Sequence, residues 1–161
     1  MATKPLKRHE SILTFSREHH FSLLFCWKIR QGIKKNVAGE RIRQYVEYFW
    51  THCLQSHFRQ EEAVLFAPLS DKMVQRAILD HQYISKQIAA LAGSSAKDLP
   101  KDLAILADSV DNHVRYEERE LFPYLERKLS QEQLEAIGEQ LTDEPLKDDY
   151  RDEFWNWPAT L

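Results

Sequence analysis

The chain has 161 residues, 43% hydrophobic, 11% aromatic and 29% charged, the composition of one ordinary soluble domain whose core needs no disulfide staples. Its 22 basic and 25 acidic residues give a net charge of −3, which excludes a strongly basic nucleic-acid binder, and no apolar run reaches the ~18 residues that span a bilayer. The opening MATKPLKRHESIL is basic without an apolar signal core, and the two cysteines, Cys26 and Cys53, suit a reducing compartment, so a cytoplasmic protein is expected.

Helical periodicity runs through nearly the whole chain. Only 4 glycines occur and no stretch alternates strictly between apolar and polar, so all-β and Rossmann-type folds are poor readings. A first helix is predicted over residues 10–35, ending near Asn36 and Gly39. A second covers 40–67 and is broken by Pro68. A third covers 70–92, with Ser70 as N-cap and Gly93 as stop. Pro100 marks the first turn of a fourth helix over 100–129, and Pro123 is expected to bend its last turn. Ser130 and Gln133 have capping-box spacing, which opens a short fifth helix ending near Leu141. The tail over 142–161 is acidic and then aromatic, and Phe154, Trp155 and Trp157 are expected to fold back on the rest. The fold class expected is all-α: an antiparallel up-down four-helix bundle over 8–129, then a short fifth C-terminal helix and tail over 130–161, in one domain.

The chain repeats itself once. His57-Phe-Arg-Gln-Glu61-Glu62-Ala-Val-Leu65-Phe66 matches His113-Val-Arg-Tyr-Glu117-Glu118-Arg-Glu-Leu121-Phe122, with the shared frame H-x-R-x-E-E-x-x-L-F. The copies fall on the second and fourth helices, which run in the same direction on opposite sides of an up-down bundle. Helical period puts His57 and Glu61 on one face with Trp50, Leu54, Val64 and Leu65. It puts His113 and Glu117 with Leu106, Val110, Leu121 and Tyr124. Arg59, Glu62, Arg115 and Glu118 fall outward.

An isolated carboxylate in a dry core costs several kcal/mol or takes up a proton. Two of them, each beside a histidine, have a common reason if metal ions lie between them. The third helix adds His81, in phase with Val74, Ile78, Ile84 and Ile88. The first offers His19 and His20, and the helical wheel favours His19, in phase with Ile12, Phe15, Leu23 and Cys26. Each glutamate can bridge two ions and each histidine can ligate one. Imidazoles and carboxylates suit iron or manganese, whereas zinc usually takes a smaller tetrahedral set. The bland reading treats each of these residues alone as a satisfied polar group in a core, which leaves a metal-free network. Against it stands the recurrence of two ligand types at one spacing and one phase.

Over residues 8–128 the chain resembles the hemerythrin-like (HHE cation-binding) family. The resemblance rests on His57/Glu61 and His113/Glu117, each followed by Leu-Phe, on Leu79-Asp80-His81, and on Glu18-His19-His20-Phe21-Ser22-Leu23. It implies a four-helix bundle around a non-haem di-iron centre: two iron ions (manganese or zinc as substitutes) joined by a bridging oxo, hydroxo or water. The candidate metal ligands are His19, His20, His57, Glu61, His81, His113 and Glu117. The family pattern of a leucine three residues after the first ligand points to His20, so both first-helix histidines are carried; Glu118 stands as the alternative to Glu117. Oxygen-carrying members have a second third-helix histidine, and here the positions four away from His81 are Ala77 and Ser85. The set of four histidines and two glutamates looks more like the family's iron–sulfur-centre repair proteins, whose cysteine-bearing N-terminal domain this chain lacks. Ferritin-like Glu-x-x-His pairs, H-E-x-x-H and G-x-x-x-x-G-K are all absent.

The resemblance implies a protein that binds or senses O2, NO or peroxide, in stress response or iron handling. The alternative is a di-iron enzyme acting in peroxide or NO reduction or in repair of iron–sulfur centres. The partner expected is a small diatomic ligand or peroxide, with no nucleic acid and no membrane. Cys26 and Cys53 read as small buried residues, or more sharply as an oxidation-sensing pair. Tyr116 and Tyr124 read as packing residues, or as gates to the site.

Overall fold

The computed structural model describes residues 8–141 and 145–157, and all regular structure among them is helical. Helix α1 is Glu10–Lys34. Helix α2 runs over 39–65, α3 is Lys72–Ala90, α4 runs over 99–128 and α5 is Gln131–Gln140. A single 3-10 turn, Phe154–Asn156, follows. The basic stretch 1–7, read for a leader, and positions 142–144 and 158–161 of the tail lie outside the described residues.

Local chemistry sets the boundaries. His9 caps α1, its Nδ1 accepting from Ser11 N at 3.1 Å. Asn36, at φ 58°, takes the left-handed turn that ends it. The cap of α3 is Asp71, not Ser70: Asp71 Oδ1 accepts from Val74 N at 3.2 Å. A carboxylate at that position also complements the positive end of the helix. Pro100 sits in the first turn of α4, and Ser130 and Gln133 form the reciprocal capping box of α5.

Contacts along the helices give the up-down order. From its start to its end, α1 meets Glu118, Ala107 and then Asp108 of α4, so the two are antiparallel. Asp71 pairs with Tyr124 and Asp80 with His113, so α3 and α4 are antiparallel too. The apolar core is split in two. One cluster gathers Phe25, Ile29, Phe49, Leu103, Leu106 and Val110. The other gathers Ile12, Phe15, Leu65, Phe66, Leu121 and Phe122. Between them lie His19, His57, Glu61, His81, His113 and Glu117, all buried. Every helix of the bundle thus carries apolar residues at both ends of its inner face and a polar residue in the middle.

Three wide π turns interrupt the α-helices, at Trp50–Leu54, Glu61–Leu65 and Glu117–Leu121. The second and third begin on the two repeat glutamates; Phe66 N donates to Glu61 O at 2.7 Å. One extra residue in a turn rotates all later positions by about 100°. That corrects the wheel assignments beyond each glutamate. Phe66 and Phe122 are buried beside Leu65 and Leu121, while Val64 and Tyr124 are only half-buried. In α4 the wide turn ends two residues before Pro123, which has no N–H to donate, and the helix continues to Lys128.

The tail folds back. Phe154 and Trp155 are buried, and Trp157 lies half-exposed under Arg41 at 4.7 Å. Gly32 permits this, since a Cβ there would lie 2.9 Å from both Ile42 and Phe154. Lys35 Nζ donates to Trp155 O at 2.7 Å, and Arg41 holds Asp152 with two bonds of 3.0 and 2.6 Å.

Candidate metal centre

His19 is buried on the inner face of α1, and His20, one position on, is exposed. The structure therefore brings His19 into the central cluster and leaves His20 outside it. Two sets of potential ligands form: His19, His57, Glu61 and Glu117, and Glu61, His81, His113 and Glu117. Within each set the ligand atoms lie within 4.8 Å of one another. Around one ion with bonds of ~2.1 Å, neighbouring ligand atoms are about 3 Å apart and opposite ones about 4 Å, so small adjustments close either set. Both glutamates belong to both sets.

The inward distances are short. His19 Nε2 lies 2.8 Å from Glu117 Oε1 and 3.9 Å from Glu61 Oε2. His57 Nε2 and His81 Nε2 lie 3.2 and 3.1 Å from Glu61 Oε1. His113 Nε2 lies 3.2 Å from Glu117 Oε1 and 3.1 Å from His81 Nε2. All four imidazoles thus aim Nε2 at the two carboxylates.

Each Nδ1 faces a carboxylate outside the cluster. Glu18 meets His57 at 2.8 Å, Glu62 meets His81 at 2.7 Å and Asp80 meets His113 at 3.0 Å. Glu118 Oε2 lies 3.2 Å from His19 Nδ1, a close charge contact, and accepts from Ser16 Oγ at 2.8 Å. The arrangement has pseudo-twofold symmetry. Glu18-His19 on α1 corresponds to Asp80-His81 on α3, and the α2 repeat corresponds to the α4 repeat. Glu62 and Glu118 read from sequence as solvated, and this is corrected: they lie outward but face a histidine of the next helix. The signal was present in the second glutamate of both repeats and in the acid directly before His19 and His81.

This outer ring hydrogen-bonds Nδ1 of His57, His81 and His113, sets Glu118 beside Nδ1 of His19, and turns every Nε2 toward the centre. Replacing Asp80 by Asn, or Glu18 by Gln, should lower metal affinity about 10- to 100-fold, measured by competition with a chromophoric chelator. An unchanged affinity would show that these carboxylates do not orient the histidines.

Aromatic rings dry the layer. Phe122 stacks on His19 at 5.2 Å, and Phe58 stacks on His81 at 3.9 Å. Besides His19 Nδ1 on the outer side, four buried polar atoms at the centre of this layer have no hydrogen-bond partner among the described residues: His57 Nε2, both oxygens of Glu61 and Glu117 Oε2; these four are the orphans that face inward. An orphaned buried group costs about 1–3 kcal/mol. These orphans all point at one another, and a cation between them satisfies all of them at once. Neutral imidazoles and carboxylates without a thiol are a donor set for iron or manganese.

The electrostatics fit the same picture. Burial disfavours a charged imidazole at each position, but the carboxylates prevail. The pKa values of His19 and His81 are raised, that of His57 is raised well above its ordinary value, and Glu117 and Asp80 push His113 up to about 10. Burial would raise the Glu117 carboxyl, yet His113 and His19 hold it well below the usual carboxylate range. In the metal-free protein protons thus hold the place of cations. Groups with raised folded pKa stabilise the fold fully below the unfolded value near ~6.5 and lose that contribution as pH rises through the folded one. Metal-free protein should therefore lose stability from about pH 7 to 9. Manganese-loaded protein should gain stability relative to it over the same range, because protons compete with the metal. Thermal melts at both pH values with and without manganese(II) check the opposite slopes.

The residues with weaker claims are committed elsewhere. Cys26 Sγ donates to Ala107 O and Cys53 Sγ to Lys147 O, each at 3.3 Å, and burial pushes both thiols up to about 12. Tyr116 donates to Met73 O at 2.6 Å and Tyr124 to Asp71. Of the two positions four away from His81, Ala77 is fully buried and Ser85 half-buried.

No helix among the described residues is long and apolar enough to cross a membrane. No curated protein and no solved structure matches the chain. The sequence model of the hemerythrin HHE cation binding domain matches residues 9–125, a span that contains every histidine and glutamate of the two ligand sets. With most of its length matched by that model, the chain belongs to the hemerythrin HHE cation-binding family.

Proposed function

We propose that the chain holds two iron ions between Glu61 and Glu117 and uses them to bind or sense O2, NO or peroxide. The observation that carries this reading is that both glutamates belong to both ligand sets. A shared carboxylate pair is what two adjacent ions need, and a single ion would leave half of the histidines idle.

Glu61 and Glu117 hold the pair together. His19 and His57 fix one ion, and His81 and His113 the other. The outer carboxylates hold the tautomer of each imidazole, and Phe58 and Phe122 keep water from the layer. A bound iron pair supplies reversible redox chemistry and coordination positions for a small molecule. With two histidines and two glutamates per ion, such positions remain, and Ala77 places only a methyl group one turn before His81. A cavity of about 330 Å³ between α2 and α3 reaches His81, which gives a diatomic molecule or peroxide a way in.

The test is anaerobic reconstitution with iron(II), elemental analysis, and absorption spectra on adding O2, NO and hydrogen peroxide. About two iron ions per chain and a new band with one of the three are expected; fewer than one iron per chain would reject the reading. Stoichiometric complexes identify a sensor or carrier. Sustained consumption of peroxide or NO would instead identify the enzymatic form of the same site.

A further inference from the structure

The pseudo-twofold relation lets the molecule serve as its own control. Position for position, Trp50, Gln55, Phe58 and Arg59 on α2 correspond to Leu106, Asp111, Val114 and Arg115 on α4. The two halves build the same ligand layer, yet they differ in what leads outward from it.

On the α4 side the outward residues are closed. Leu106 and Val114 are buried aliphatic side chains. Arg115 Nε donates to Asp111 at 2.6 Å, and Arg30 binds Asp111 from α1 at 2.8 Å. On the α2 side an aromatic path runs from the surface to a ligand. Trp50 is half-buried and lines the cavity between α2 and α3. Its ring meets Phe58 edge-on at 6.0 Å, and Phe58 stacks on His81 at 3.9 Å. Gln55 stands where Asp111 would be, and Arg59 makes no ion pair among the described residues. Lys86, across the same cavity on α3, is also exposed and makes no ion pair among the described residues. The nearby carboxylate, Glu62, is engaged with His81. The π turn at Trp50–Leu54, which has no counterpart at Leu106 in α4, sits at the outer end of this path.

The ring contacts from Trp50 to Phe58 and from Phe58 to His81 make a short, closely packed path along which an electron can tunnel between the surface and a buried metal. Two unpaired cations at the outer end select a negatively charged donor and steer it to that end. We propose that the cleft between α2 and α3 is the electron-entry face of this protein, where an acidic one-electron carrier protein docks on Arg59 and Lys86 and delivers its electron through Trp50 and Phe58 to the ion held by His81 and His113. This rests on the metal pair of the proposed function. Each encounter oxidises the carrier by one electron and reduces one metal ion by one, with no bond made or broken.

The test uses the full chain, loaded with iron and oxidised, mixed anaerobically with reduced plant-type ferredoxin and followed by stopped-flow absorbance. Photoreduced riboflavin, small and at most singly charged, is the control donor. Replacing Arg59 and Lys86 together by Ala should slow reduction by ferredoxin about tenfold at low salt. That difference should fade at high salt, with the riboflavin rate unchanged. Trp50→Leu, which copies the α4 side, should slow the step severalfold at saturating ferredoxin with iron content intact. Arg115→Ala should leave the ferredoxin rate unchanged. Wild-type ferredoxin rates in the Arg59/Lys86 double variant or in Trp50→Leu, or an equal loss in Arg115→Ala, would overturn the proposal while leaving the metal site standing. A chain that takes up no iron would overturn the metal reading and this proposal with it.

Discussion

Glu61→Ala and Glu117→Ala should each abolish binding of both metal ions, whereas His81→Ala should cost only one. The difference follows from sharing. Glu61 and Glu117 stand in both ligand sets, while each histidine stands in one. Without Glu61, either remaining set has two imidazoles and one carboxylate, and the two cations have lost half of the negative charge between them. After His81→Ala the set of His19, His57, Glu61 and Glu117 is complete. His20→Ala should leave both ions in place, because that ring is exposed. Bound metal stabilises the fold by linkage, about 4 kcal/mol when free metal exceeds the Kd 1,000-fold, and either glutamate variant should lose all of it. Elemental analysis after gel filtration, paired with thermal melts, reads both effects. Two ions per chain in Glu61→Ala would mean that the carboxylates are not shared.

Asp148→Ala should be the most destabilising change outside the metal layer, at about 3–5 kcal/mol. Lys28 is a charged residue 5% exposed in the middle of α1. Its ammonium is held by Asp148 Oδ2 at 3.0 Å and lies 4.0 Å from the Trp155 ring. Tyr45 donates to the same carboxylate oxygen. Removing Asp148 leaves a buried cation with only the Trp155 ring and a buried hydroxyl without its acceptor, and it removes one of the ties between the tail and α1 and α2. Asp152→Ala is the comparison, because its salt bridge to Arg41 is partly exposed and contributes about 1 kcal/mol or less. Urea denaturation of both variants measures the contrast. An Asp148→Ala protein as stable as Asp152→Ala would show that the tail is not held down by this carboxylate.

Much of this was legible in the sequence because the bundle and its inner layer follow from periodicity. His57/Glu61 and His113/Glu117 share a face at four-residue spacing, and that spacing survives folding because each helix is regular from the histidine to the glutamate. Beyond each glutamate the reading slipped. The wheel put Val64 and Tyr124 inward and left Phe66 and Phe122 unassigned, because a straight 3.6-residue period cannot anticipate a π turn. The turn itself depends on tertiary demands: consecutive Leu and Phe must both face the core, with the Phe against a histidine. The outer carboxylates were missed for a related reason. Glu62 and Glu118 lie on the outward side of their own helices, so a single-helix projection reads them as solvated. Their partners, His81 and His19, belong to neighbouring helices. The preference for His19 was available from the wheel alone, whereas the leucine spacing that pointed to His20 carried no information on burial. The buried pair of Lys28 and Asp148 had no sequence signal, since 120 positions separate its members.

The central claim is that cations occupy the middle of this bundle, and anomalous diffraction at the iron edge tests it most directly. Crystals grown from anaerobically iron-loaded protein should show two peaks between Glu61 and Glu117. One should lie on the side of His19 and His57, and the other on the side of His81 and His113. Crystals of fully iron-exposed protein with no anomalous peak there, and with water or side chains filling the layer, would contradict the account.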